Sequence, residues 1–392
     1  MDELNKLIGI IRENGACVQT AITNLVAFGN EAVQPIIEEV RHSPLNRIRV
    51  FTQILLAVSQ RDLVSVMGPL LDDDHVNLEI TAYEGLAQSK DSLALPLLLG
   101  KLADGSRSDF RRSLAARALG ELGFTRARTS LIEVVHEVLG PAIDRTSLMQ
   151  LISSSDEFDE DRLRLVLEIA IAMAKLGDHE LLSVPVAILA CRSGEDNRTI
   201  RAEAARAFQY IVGPGLFPSI QEALHDDAPE VRLEAIDAIF YLGVKESISE
   251  LVFLTQDNDE EVAEKAKSSI LKLADKWLNG SEYVECMSTE KFQEWWSHTQ
   301  DNFDASVCYR LGEPMRLCRV TELLKPQAYL EILRELLIIT GQDFSVFPFS
   351  SFEEQTIQSR RKAERWFEGR SHLFEPGHLY KYGFQQDLSR IF

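Results

Sequence analysis

Few cysteines and no long apolar run narrow the classes open to this chain. The 392 residues carry five cysteines, Cys17, Cys191, Cys286, Cys308 and Cys318, scattered and never spaced as CxxC. That pattern predicts reduced thiols and neither a disulfide scaffold nor a zinc site. No apolar stretch approaches the roughly 18 residues a membrane helix needs. The opening Met-Asp-Glu-Leu has no basic segment ahead of an apolar one, so no secretory leader is expected and a cytoplasmic location is. Positive charge is also short: 41 Lys and Arg stand against 61 Asp and Glu, a net of −20. Proteins that bind nucleic acid or anionic membranes present a basic face, so neither partner is expected. Walker A, GxGxxG, HExxH and GxSxG are all absent.

What is present is a repeat. Arg111–Gly123, RRSLAARALGELG, overlays Val231–Gly243, VRLEAIDAIFYLG. Arg112 meets Arg232, Ala115 meets Ala235, Ala118 meets Ala238 and Gly123 meets Gly243. A third copy from Ile200 to Val212 places Arg201, Ala204 and Ala207 in the same slots. Alanines three apart on one helical face let a neighbouring helix come close. Glycine ends the helix because the left-handed cap costs it least. A more aliphatic helix follows each, at 32–40, 63–71, 93–102, 181–189 and 248–254. Neither helix can bury its apolar stripe alone, so stacked pairs are predicted.

An Asp before the helix, an Arg near its start, then spaced Ala, Leu and Gly resembles HEAT repeats of the phycobilin-lyase-like kind. Asp226 with Arg232 and Asp109 with Arg112 carry the pattern. The resemblance covers residues 15–275, seven or eight repeats. It implies an all-α solenoid that holds another macromolecule, with no particular chemistry. The expected division is a repeat domain at 1–275 and an aromatic-rich, mostly helical C-terminal module at 276–392. An insertion at about 141–161, rich in Ser and including Asp156 and Glu157, interrupts the array and is read as an exposed loop.

The acidity belongs to the repeats. Residues 1–275 hold 27 basic against 44 acidic residues, while 276–392 hold 14 against 17. Asp72, Asp73 and Asp74, Asp226 and Asp227, and Asp257, Asp259, Glu260 and Glu261 fall in equivalent turns between repeats. Single aspartates cap helix N-termini. Three in a row exceed one cap, so an acidic edge facing a basic protein partner is the expected binding surface.

All four tryptophans, Trp277, Trp295, Trp296 and Trp366, and five of eight tyrosines, including Tyr380 and Tyr382, lie beyond residue 275. Trp295, Trp296, Trp366, Tyr380 and Tyr382 are expected either in a core or as partner anchors. Helices are predicted at 289–302, from Pro326 to Gly341, and to about 367 from a Ser351–Glu354 capping box. A turn is expected at Gly312–Pro314 and a loop or hairpin around Pro376–Gly377. EWWSHTQDNFDASVCYRLGEP and the later EEQTIQSRRKAERWFEG resemble the C-terminal part of uncharacterised bacterial HEAT-repeat proteins, some encoded near type VI secretion genes. That likeness implies a bacterial interaction protein. An antitoxin or immunity protein is the sharper form of the scaffold reading, since an acidic array can occlude a basic effector by charge complementarity.

Enzymes on this scaffold are the alternative. Deoxyhypusine hydroxylases use four His-Glu pairs. Here only His136-Glu137 and His179-Glu180 occur, out of phase with the repeat. HEAT-type DNA glycosylases line a groove with basic and aromatic residues, which an acidic array fits poorly. Ser288–Lys291 matches SxxK without its companion motifs. Nothing marks a chromophore site, and no cofactor or metal is expected.

Overall fold

The computed structural model describes residues 2–13, 18–59, 62–140, 148, 160–190, 197–213, 215–274, 288–346 and 352–392. Of the features expected above, Cys17, Cys191, Cys286, Trp277, Ser351 and most of 141–159, with Asp156 and Glu157, lie outside them. The contacts divide into two compact units, residues 1–137 with 345–359, and 138–344 with 360–392.

Among the described residues the chain is all-α apart from two short hairpins. In the first unit α1 (Asp2–Glu13) precedes four helix pairs. These are α2 (Val18–Ala27) with α3 (Val33–His42), and α4 (Leu45–Val58) with α5 (Leu63–Met67) and its 3-10 extension Gly68–Asp72. Next come α6 (Val76–Ser89) with α7 (Ala94–Ala103), and α8 (Asp109–Leu122) with α9 (Arg128–Leu139). First helices α2, α4, α6 and α8 stack successively. In the second unit α10 (Glu160–Lys175) pairs with α11 (Ser183–Ala190), and α12 (Arg198–Ala207) with α13 (Leu216–Leu224). Then α14 (Pro229–Leu242) pairs with α15 (Lys245–Leu254), followed by α16 (Glu260–Ala274). Here α10, α12, α14 and α16 stack.

The alanines are what lets them stack. Ala115, Ala116, Ala204, Ala207, Ala235, Ala238 and Ala266 have no exposed surface. Ser108 caps α8 by accepting from Arg111 N, and Pro229 occupies the first turn of α14, where its missing N–H is not needed. Gly123 and Gly243 end α8 and α14 in the left-handed conformation.

Beyond 288 the chain does more than close the array. α17 (Thr289–Thr299) packs on α15, the second helix of the last full pair. β1 (Tyr309–Arg310) and β2 (Glu313–Pro314) form a hairpin whose turn is Leu311–Gly312, one residue earlier than expected. α18 (Leu317–Glu322), α19 (Tyr329–Thr340) and α20 (Phe352–Glu368) follow, then β3 (Leu379–Lys381) and β4 (Phe384–Gln386). The second hairpin turns at Tyr382–Gly383, not at Pro376–Gly377. Both turns begin on a non-glycine with positive φ, Leu311 at 52° and Tyr382 at 50°. The left-handed region costs such a residue about 1–2 kcal/mol. In return both turns present consecutive N–H groups to the carbonyls at a helix end. Leu311 N and Gly312 N donate to Lys272 O and Leu273 O of α16 at 2.9 and 2.7 Å. Tyr382 N and Gly383 N donate to Ile338 O and Ile339 O of α19 at 2.7 and 2.8 Å. Helix C-termini leave these carbonyls without intrahelical partners.

The same logic continues along the array. Tyr309 N donates to Gly243 O, just past α14, at 2.7 Å, and Lys381 Nζ to Gln209 O, just past α12, at 2.9 Å. The C-terminal chain therefore satisfies the ends of three successive first helices. Its own core gathers Leu317, Val320, Leu324, Leu336, Phe344, Ala363 and Tyr380, with Trp366 partly buried against it.

Candidate interaction surface

The turn aspartates separate into two kinds. Arg201, near the start of α12, bonds Asp226 through Nε and Nη2, both at 3.0 Å. Arg232, near the start of α14, bonds Asp257 at 2.8 and 2.7 Å. Arg112 in α8 reaches Glu137 at 3.1 Å. Each pair spans 25 residues. One helix pair is thus clasped by a first-helix arginine and a carboxylate at the end of the second helix. Arg232 also donates Nη1 to the Asp226 carbonyl at 2.8 Å, and Arg112 donates Nε to Leu102 O at 2.9 Å, tying each clasp to the preceding pair. Asp226 and Asp257 then accept from the N–H two residues on, Ala228 and Asp259, both at 2.9 Å. Asp259 caps α16 by accepting from Glu261 N and Val262 N at 3.0 and 3.2 Å.

In the first unit Asp73 is held by Arg41 at 2.7 Å, and Asp72 by Lys101 at 2.5 Å and Arg107 at 3.1 Å. The Lys101 ammonium, then Arg107, keeps the Asp72 carboxyl below the ordinary carboxylate range, and Arg41 with the His75 N–H does so for Asp73. Behind them Glu79, fully buried, meets Arg107 at 2.5 Å and Arg111 at 3.1 Å.

The other acids are exposed. Asp74 in the first unit, and Asp227, Glu230, Glu260 and Glu261 in the second, make no side-chain ion pair or hydrogen bond among the described residues. Spacing alone hides this split, because the arginine that commits an aspartate lies 25 residues away.

The aromatic candidates are largely internal. Trp296 and Tyr380 are buried. Trp295, half-buried, stands 5.7 Å from Trp296 between ring centres. Trp366 sits between Phe344 and Phe374 at 5.7 and 5.8 Å, with the Arg370 guanidinium 4.8 Å above it. Tyr380 accepts from Glu375 N at 2.9 Å. Tyr382 lies 6.2 Å from Tyr210, with Lys175 at 5.7 Å over its ring.

A cleft of about 370 Å³ lies where α14 and α16 meet α19, floored by Phe240 and Tyr241. Its cations face acids in its own wall: Lys265 with Asp237 at 3.0 Å, Lys272 with Glu331 at 2.7 Å, and Arg334 with Asp237 at 3.9 Å. Burial, then the neighbouring Asp237, pushes the Glu234 carboxyl up.

The catalytic fragments fall apart chemically. His136 is exposed, and Glu137 belongs to the Arg112 clasp. His179 Nδ1 accepts from Val212 N at 3.1 Å. The Ser288 hydroxyl holds the nearby Glu290 carboxyl below the usual range, and Lys291 is exposed. Among the described residues no cluster of three His, Cys, Asp or Glu is placed to hold a metal. No described helix is long and apolar enough to cross a membrane.

Residues 184–270 match the family described as HEAT repeats. No curated protein matches the sequence. Solved structures with some likeness include human deoxyhypusine hydroxylase in complex with glycerol, at 16% identity, covering 68% of this chain and 96% of that one, TM-score 0.29. A designed armadillo repeat protein in complex with the peptide (KR)4 gives 19%, 53% and 98%, TM-score 0.30. A Kap121p mutant gives 13%, 87% and 39%, TM-score 0.27. Likeness at this level carries no statement about function. The arginine–aspartate clasps recur through the helix pairs of this matched segment, residues 184–270, which carries HEAT repeats.

Proposed function

We propose that the protein is a non-catalytic interaction scaffold that binds a partner protein through the acidic turn edge of its repeats. The observation that carries this is the split among the turn acids. Arginines inside the repeat neutralise Asp226 and Asp257, while Asp227, Glu230, Glu260 and Glu261 stand exposed beside them without a cation. Helix capping accounts for Asp259, and Glu230, Glu260 and Glu261 stand in first helical turns where they complement the dipole, yet none of the four exposed acids is held by a cation. A carboxylate row of this kind favours a basic protein surface over nucleic acid or membrane, through complementary potential and faster encounter. The working location in this reading is the cytoplasm. Its sharper form is occlusion of a basic effector, as an immunity protein in a bacterial secretion system would do.

The test is native purification with cross-linking mass spectrometry, using the full chain and an Asp227→Lys, Glu260→Lys, Glu261→Lys variant. The expected result is a stoichiometric protein partner lost by the variant, and lost from the wild type as salt is raised. A partner retained by the variant at all salt concentrations refutes the acidic edge. The repeat division at 1–275 is part of the proposal, with 276–392 as the module that satisfies its helix ends.

A further inference from the structure

Three arginines, Arg310, Arg316 and Arg319, lie where the first hairpin runs into α18. A cavity of about 190 Å³ there is lined by Arg310, Leu311, Glu313, Pro314, Arg316 and Arg319. Nearly consecutive residues build it, and their backbone is tied at several points. Leu311 N and Gly312 N are held by α16, Met315 N donates to Cys308 O at 2.8 Å, and Gly377 N donates to Met315 O at 2.8 Å. A site on so fixed a backbone is preorganised.

Each arginine is in a different state. Arg310 is buried, 6% exposed. It contacts the Glu335 carboxylate through Nε at 3.0 Å and Nη2 at 2.5 Å, and its guanidinium lies 3.9 Å from the centre of the Phe240 ring. Its Nη1, also buried, has no hydrogen-bond partner among the described residues. Leaving a buried donor without an acceptor costs about 1–3 kcal/mol, and more on a charged group. Arg316 is exposed, and its side chain has no partner among the described residues. Arg319 approaches Glu313 and Glu322 only at 3.9 and 3.7 Å, beyond hydrogen-bond reach.

We propose that this cleft binds a small oxyanion, a phosphate monoester or a dicarboxylate, between the forks of Arg316 and Arg319 with Arg310 behind them. Guanidinium forks match the oxygens of both groups bidentately, where an ammonium acts only as a point charge. At about 190 Å³ the cavity suits one such small group and not a polymer. Leu311 and Pro314 offer apolar wall to the carbon portion. The site is separate from the acidic turn edge and does not depend on the scaffold reading.

The test is calorimetric and thermal-shift titration of the full chain at low salt, where surface charge is least screened. The probes are inorganic phosphate, O-phosphoserine and succinate. The expected result is saturable binding that sodium chloride of matched ionic strength does not reproduce. Affinity should fall by about tenfold or more in Arg316→Ala, Arg319→Ala, and partly in the corresponding double lysine variant, which keeps charge and loses the fork. Both side chains are exposed, so the melting of the unliganded variants should be unchanged. Preference for phosphoserine or for succinate distinguishes a phosphate from a carboxylate source. Absence of saturation with all three probes overturns the proposal. So does equal affinity in the wild type and both variants.

Discussion

Replacing Asp226 by Ala should open the second unit locally, whereas changing its neighbour Asp227 should not. Asp226 is 3% exposed and receives two hydrogen bonds from Arg201, whose side chain is 8% exposed. Removing the carboxylate strands a guanidinium where water cannot reach it. Breaking a buried pair from one side costs about 3–5 kcal/mol. The bond to Ala228 N is lost as well, which loosens the entry to α14. In hydrogen exchange, that energy is a rise of roughly two to four orders of magnitude for amides in Arg198–Leu242. The assay is exchange followed by mass spectrometry on the full chain, with far-UV circular dichroism in urea beside it. Asp227→Lys, on an exposed side chain without a partner, should stay within about 0.5 kcal/mol of wild type. Arg201→Met with Asp226→Leu should recover most of the loss, since no charge is then buried alone. If Asp226→Ala raises exchange less than about tenfold, or if Asp227→Lys matches it, the clasp argument fails.

Two further outcomes follow from the C-terminal chain. Gly243→Ala should destabilise the second unit by about 1–3 kcal/mol in urea melts, because φ is +61° and the added Cβ would stand 3.1 Å from the Tyr309 carbonyl. A neutral result would mean that the hairpin is not docked there. Lys381 is fully buried, and desolvation lowers its ammonium to about 7, while Cys308 and Glu335 act in the opposite sense. Its surroundings also include the Tyr241 ring, 5.5 Å from Nζ. The folded pKa lies below the unfolded one, so between about pH 7 and 10 the unfolded chain binds more protons and stability from this group rises with pH. The Lys381→Met variant should lose that rise in melts taken across the window; an unchanged slope would show that Lys381 does not titrate as its burial requires.

The repeats were legible because their physics is local and periodic. Buried alanines at Ala115, Ala204 and Ala235 mark close helix contact, and Gly123 and Gly243 mark helix ends. The expected second helix at 63–71 is found as Leu63–Met67 with its 3-10 turn to Asp72, and that at 248–254 within Lys245–Leu254. Hairpin positions were only partly legible, the first turn lying one residue from the expected one and the second six residues past Pro376–Gly377. Leu311 and Tyr382 carry no turn signal, and they hold positive φ only because two helix ends, far off in sequence, accept the N–H groups of those turns. Pro376–Gly377 is a stronger turn signal, yet Gly377 N and O bond instead to Met315 and Cys308.

The sequence by itself determined the all-α repeat, its helix pairs and where the negative charge is concentrated, since these depend on residue type and spacing along one helix or turn. Only the tertiary structure decided which acids are available. Asp226 and Asp227 are adjacent and chemically identical, yet the first lies within reach of Arg201 and the second faces solvent. That choice comes from the packing of one helix on the next, which brings together groups 25 residues apart.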